Sequence, residues 1–377
     1  MREHPFPRRT PALGLGLGLA LSAAAGCATA PAGPPAAPPG AREALAEAKR
    51  LSVRARILDF SEPPAGWTGE GVAVSGGALT LAAGASAGSF LSPRYAMPSF
   101  DWLVPSWDIA APGGSSVEVF VRVRVKGAWS DWYAFGRWSG RPGSAEKSSD
   151  ALGRVEIDTL LLYGAADAVG IRLDLAAGPE GAAPSVRSLS WAARDRFAAA
   201  LPEPSPPAYP ETSLAVPARS QMVEDPGIAS RICGPTSLSM VLAALGTELP
   251  TAKVAEAAYD AGAGIFGNWS FNTSLASSLG HRARVDWYSS LAELAEQLKL
   301  GFPVVASVSY KKGELANAAI PATPGHLLVV RGMAKRGEDW YVLVNDPAAE
   351  GPEGVPREYL AKQFKNAWNG VVYVIAK

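Results

Sequence analysis

Residues 231–243 read RICGPTSLSMVLA. An apolar segment with helical spacing runs on from here and stops at Gly246, and a Gly-Pro pair opens it. Pro235 falls where a first helical position is expected, with Thr236 and Ser237 able to cap nearby donors. Cys233 then stands at the N-terminal end of a buried helix. Free N–H groups and the macrodipole at that end favour an anion and lower a thiol's pKa. A cysteine kept only to fill a core belongs further in, at a place such as Met240 or Leu245. Both readings, nucleophile and small core residue, fit the segment alone.

A thiolate nucleophile needs a base to share its proton and a third group to orient that base. The chain has 3 histidines. His4 lies in the N-terminal segment, and His281 follows a glycine in the polar turn LGHRAR. His326 opens a strand in PATPGHLLVVRGM, beside Gly325, a placement that suits a base facing a cleft; an edge histidine preceding an apolar strand is the plainer reading. One hairpin turn later, WYVLVNDPAAEG ends in Asn345-Asp346-Pro347, and either Asn345 or Asp346 could orient the imidazole, although Asp-Pro is also a common turn. Gln221, in ARSQMVEDPG, could offer a side-chain amide to a developing oxyanion, with the Cys233 backbone N–H as second donor. A glutamine in such a polar segment is otherwise simply solvated.

The order Gln, Cys, His, Asp, with the cysteine on a leading helix and the other two on successive strands, resembles papain-like cysteine peptidases. The stretches SQMVEDPGIASRICGPTSLSMVL, GNWSFNT, GHLLVVRGM and VNDPA resemble more closely the bacterial cysteine peptidase family 39 (bacteriocin leader peptidases and their stand-alone relatives). The resemblance covers residues 218–377. It implies a papain-like α+β domain that cleaves peptide bonds through an acyl-enzyme, with a peptide or protein as substrate. It assigns Cys233 as nucleophile, His326 as general base and acid, Asp346 as orienter and Gln221 as oxyanion donor. Gly267, Asn268 and Trp269 match a segment of the stand-alone relatives but receive no catalytic role. No cofactor or metal is called for. Leader peptidases of the family are usually fused to membrane-spanning transporters, and no such span is read here, so double-glycine specificity is not carried over. The same site would also serve an amidase or a transpeptidase.

The remainder of the 377 residues sets the context. Residues 1–26 read as an export signal: Arg2, Arg8 and Arg9, then an apolar run shorter than the roughly 20 residues a membrane span needs. The run ends in small residues before Cys27, which resembles a bacterial lipoprotein signal in which Cys27 is lipidated; plain secretion is the alternative. The expected location is the cell envelope, with the membrane reached only through the lipid. Lipidation would leave Cys233 without a disulfide partner, since the chain has 2 cysteines. Residues 27–57 read as a Pro/Ala-rich tether with a stretch able to form a short helix.

Residues 58–198 show period-two runs divided by Gly, Pro and Ser clusters, expected as an all-β, jelly-roll-like sandwich. In SVEVFVRVRVK, Val117, Val119, Val121, Val123 and Val125 share one face. This region holds Trp67, Trp102, Trp107, Trp129, Trp132, Trp138 and Trp191; they either fill the sandwich or offer a face to envelope carbohydrate, for which GAWSDWYAFGRWSG is the best location. A non-catalytic glycan-binding lipoprotein is the rival reading of the whole chain. Residues 199–217 form a Pro-rich linker. With 35 basic and 35 acidic side chains there is no electrostatic case for nucleic acid.

Overall fold

The computed structural model describes residues 55–145, 148–196, 203–205 and 207–377; the export segment, Cys27 and the tether as far as residue 54 lie outside them. The described residues up to 196 hold strands and no helix. They are β1 (Ala55–Asp59), β2 (Thr68–Glu70), β3 (Val72–Ser75), β4 (Ala78–Leu81), β5 (Ala87–Leu91), β6 (Tyr95–Ala110) and β7 (Ser116–Val125). There follow β8 (Ala128–Trp129), β9 (Tyr133–Trp138), β10 (Ser148–Ser149), β11 (Gly153–Glu156), β12 (Thr159–Ala176) and β13 (Ser185–Arg194). The alternation in β7 is realised: its five valines are buried, with Glu118, Phe120, Arg122 and Arg124 on the half-buried outer face. Strand β6 changes partner midway, pairing with β12 over Tyr95–Leu103 and with β13 over Trp102–Ala110. A strand that passes between sheets in this way joins the layers of a sandwich into one hydrogen-bonded set.

Two details depart from the sequence reading. The first strand begins at Ala55, within the segment expected as tether. The period-two run RVEIDTLLL, residues 154–162, is a hairpin instead of a single strand: Glu156 pairs with Thr159, and Ile157-Asp158 form the turn. No Gly or Asn marks that turn, so period-two alternation passes straight through it.

The seven tryptophans are mostly internal. Trp102, Trp107, Trp138 and Trp191 are buried, and Trp67 stacks on Phe90 at 5.4 Å. Trp129 and Trp132 belong to a ladder in which Arg122 lies 4.9 and 4.5 Å from their ring centres, with Arg94 over Trp129 and Arg172 over Trp132 and Phe120. The protein's own guanidinium groups thus engage the indoles of GAWSDWYAFGRWSG.

Beyond the Pro-rich segment come helices α1 (Cys233–Ala244), α2 (Thr251–Ala258), α3 (Trp269–Ser278), α4 (Leu291–Lys299) and α5 (Ala361–Ala367). The strands are β14 (Thr212–Ser213), β15 (Arg282–Trp287), β16 (Val304–Tyr310), β17 (Thr323–Arg336), β18 (Asp339–Asn345), β19 (Pro356–Leu360) and β20 (Trp368–Ala376). Six of them pair antiparallel in the order β15-β20-β16-β17-β18-β19, and β14, from the Pro-rich segment, adds to β17 where β16 has ended. Helix α4 starts with a full capping box between Ser290 and Glu293. Leu327 and Val329 of β17 join the core beneath α1, whereas Leu328 and Val330 join the core on the other face.

The sandwich and the α+β half share a core. Phe271 of α3 is fully buried between Trp107 and Trp138 of the sandwich, with ring centres 5.9 and 5.7 Å away. Polar contacts match this packing: Ser270 Oγ donates to the Pro105 carbonyl at 2.7 Å, and the Val285 N–H donates to Ser106 Oγ at 2.8 Å. Arg187, paired with Asp108, also donates to the Ser277 carbonyl. The two halves should therefore unfold in one transition. Phe271→Ala leaves a cavity among large aromatics and should cost about 3–5 kcal/mol. In urea melts followed by tryptophan fluorescence and by far-ultraviolet circular dichroism, both signals should move together to a lower midpoint.

Candidate active site

Cys233 is the first residue of α1, and Ile232 before it provides no side-chain cap. Helix α1 thus begins two residues earlier than Pro235 suggested. Thr236 and Ser237 do not cap it: their hydroxyls donate to the carbonyls of Ile232 and Leu327. The N–H groups of the first turn keep their full pull on the sulfur. Those of Gly234 and of Leu327 point at it. Gly234 permits this approach, because a Cβ there would stand 3.0 Å from Leu327 Cδ1. Cys233 itself is half-buried.

His326 precedes Leu327 on β17, so the contact that docks α1 also places the imidazole beside the thiol, and the two are hydrogen-bonded. His326 lies inside the strand, opposite Val308 of β16, rather than at an edge. Its Nε2 is 2.8 Å from Asp346 Oδ1, with both side chains buried. A carboxylate can only accept, so Nε2 carries the proton and Nδ1 is left to face the sulfur. Asp346 follows the last residue of β18 and is fully buried. It accepts from the Tyr359 hydroxyl at 2.6 Å and from the Ala348 N–H at 3.0 Å. Asn345, the other residue able to orient the ring, turns away and binds Arg331 and the Val216 and Pro217 carbonyls.

Gln221 is buried in a short 3₁₀ turn. Its N–H donates to the Pro347 carbonyl, and its Nε2 donates at 2.8 Å to the carbonyl of Ala229. Ala229 opens the 3₁₀ turn Ala229–Arg231 that leads into Cys233. Gln221 therefore links the turn after Asp346 to the approach to Cys233, and one amide hydrogen remains uncommitted. Gly267, Asn268 and Trp269 form the start of α3: Asn268 caps the helix through the Phe271 N–H and donates to Asp260, and Trp269 tilts against Trp102 of the sandwich. His281, assigned no role, is buried and bonded to Thr247.

Three contributors escaped the sequence reading. Tyr359 holds the second oxygen of Asp346, Asn272 lies against Gly234, and the Tyr373 hydroxyl sits within electrostatic range of Cys233. Tyr359 and Tyr373 stand in no motif, and Asn272, within GNWSFNT, carried no assigned role; each reaches the site only through the pairing of distant strands or the docking of α3.

The electrostatics follow from these contacts. Burial pushes the Cys233 thiol up, but the hydrogen bond and charge of His326, with the two backbone N–H groups, bring it below the ordinary thiol value. Burial disfavours the imidazolium, yet Asp346 and the thiolate outweigh it and raise His326 to about 10. Burial likewise opposes charge on Asp346, and His326, Tyr359 and Ala348 hold it lowered. The arrangement can store a thiolate–imidazolium pair near neutral pH. Among the described residues no group of His, Cys, Asp and Glu is assembled to hold a metal ion.

Such a sheet and helix, with a cysteine at the helix start facing a strand-borne histidine, define a papain-like cysteine peptidase. Residues 213–375 match the Peptidase_C39 like family, and residues 70–193 match the Peptidase C39 N-terminal domain. The α+β domain belongs to the Peptidase_C39-like family, and the chain is a cysteine peptidase. Among solved structures it is similar to a double glycine motif protease from an AMS/PCAT transporter in complex with its leader peptide, at 21% identity over 44% of this chain and 94% of that one (TM-score 0.29). The peptidase domain of Streptococcus ComA is similar at 19% identity over 39% of this chain and 92% of that one (TM-score 0.29). The xylan-binding module CBM86 from Roseburia intestinalis is similar at 17% identity over 37% of this chain and 96% of that one (TM-score 0.21). No curated protein matches the chain.

The stored ion pair sets a pH window. With the thiol lowered and the imidazolium held to about 10, alkylation of Cys233 by iodoacetamide should already be fast below the free-thiol value of about 8.5. Asp346→Asn keeps the shape but removes the charge that supports the imidazolium. The acid limb of the labelling profile should then move upward, and His326→Ala should move it further. Mass-spectrometric labelling rates from pH 5 to 10 check both.

Proposed function

We propose that this chain is an extracytoplasmic, lipid-tethered thiol peptidase that hydrolyses peptide bonds through an acyl-enzyme on Cys233. The observation that carries the reading is the buried 2.8 Å hydrogen bond from His326 to Asp346, with the free ring nitrogen facing a cysteine at a helix N-terminus. His326 takes the thiol proton, and the thiolate attacks the scissile carbonyl. The oxyanion is met by the Cys233 N–H and the uncommitted amide hydrogen of Gln221. Imidazolium then protonates the departing amine, and water, activated by His326 in return, releases the acid. Asp346 keeps the ring in the tautomer that each step requires. Export and lipidation at Cys27 rest on the basic start, short apolar run and small residues of the first 27 positions, and they point to peptides of the cell envelope as substrates.

Cys233→Ala should abolish turnover and leave the melting temperature nearly unchanged. Gln221→Ala should lower kcat about 10²–10³-fold, the cost of one oxyanion donor elsewhere. Envelope peptides from cells carrying wild-type protein or Cys233→Ala, compared by terminal proteomics, should differ in a discrete set of new termini. Identical sets, together with no trapped acyl-enzyme, would rule out the peptidase reading, and products that incorporate an added amine would make it a transferase. Metabolic labelling with a fatty-acid probe, lost in Cys27→Ala, tests the anchor.

A further inference from the structure

The β11–β12 hairpin breaks the rule that its own geometry sets. Its two-residue turn, Ile157-Asp158, places Ile157 at φ 62°. Gly or Asn is favoured at such a position, since the left-handed region crowds a Cβ and crowds a β-branched side chain most. Ile157 is the only β-branched residue with positive φ among the described residues. Burial does not compensate, for the side chain is 41% exposed. A strained, solvent-facing isoleucine where glycine would fit better points to a use outside the fold.

The neighbouring residue fixes the tip in place. Asp158 is buried, and its carboxylate accepts from Thr159 Oγ1 at 2.9 Å and from the N–H of Trp269, the first residue of α3. One helical turn on, Asn272 lies against Gly234, next to Cys233. The buried Tyr373 hydroxyl spans the same interval, within electrostatic range of both Asp158 and Cys233. The sandwich thus bolts an apolar hairpin tip to the element that walls the cysteine site.

We propose that Ile157, with the half-buried Trp269, forms an apolar subsite of the peptidase cleft, so that the preferred substrate is a peptide with a nonpolar side chain at that position. The specificity of the peptidase is then set partly by its β-sandwich. This rests on the thiol-peptidase reading above, and the test separates the two. Peptidyl chloromethyl ketones carrying Leu, Phe, Ser or Asp at successive positions probe the subsites, while iodoacetamide probes the thiolate alone.

On the full chain, the Leu or Phe probe should label Cys233 about tenfold faster than the Asp probe at one position. Ile157→Gly should lose most of that preference and keep the iodoacetamide rate. By relieving the turn it should also melt about 2 °C higher. Ile157→Leu should keep the preference. A wild-type protein with no apolar preference, or an Ile157→Gly variant that retains it, overturns the subsite. A wild-type Cys233 inert to iodoacetamide near neutral pH overturns the thiol-peptidase reading itself, and the subsite with it.

Discussion

Asp346 is a carboxylate with no exposure to solvent, and a buried charge is tolerable only where partners replace its lost water. It has three: the His326 ring, the Tyr359 hydroxyl and the Ala348 N–H. Meeting them constrains much of the α+β half. Strands β17 and β18 must pair in the register that sets Val329 opposite Asn345, and β19 must lie beside β18 to bring in Tyr359. The turn after Asp346 must close tightly enough for Ala348 to reach back. The same turn anchors Gln221 through Pro347 and Ser220 through Ala349. The turn after one buried charge therefore couples Gln221 to His326.

The second constraint is the shared core. Helix α3, built largely of small polar residues, is buried from Ser270 to Ser277, and it finds partners in two directions: Phe271 packs into the sandwich, and Asn272 packs against Gly234. Neither half could release this helix without exposing aromatic surface worth several kcal/mol. The sandwich is thus a structural part of the peptidase, with Trp107, Trp138 and the Asp158 side of its hairpin committed to the junction.

Much of this was legible in the chain. The valine alternation of β7 specified a half-buried strand. Cys233, His326 and Asp346 could be singled out because a nucleophile, a base and a group to orient the base each call for a particular residue type. The limits of legibility were local too. Ile157-Asp158 carries no turn chemistry, so the hairpin passed for a strand. Asn345 and Asp346 were equal candidates, because adjacent residues at a strand end differ only in the direction they finally face.

The sequence by itself determined the class of protein, the period of each element and the residues chemically able to react. Only the tertiary structure showed that Asp346 rather than Asn345 bonds the imidazole, that Tyr359 and Asn272 lie at the site, and that a sandwich hairpin is bonded to helix α3. The reason is physical. Residue type and spacing fix what a side chain can do and how a segment buries its apolar face. Contacts between residues some hundred positions apart, such as Asp158 with Trp269, exist only once strand register and helix docking have closed the distance.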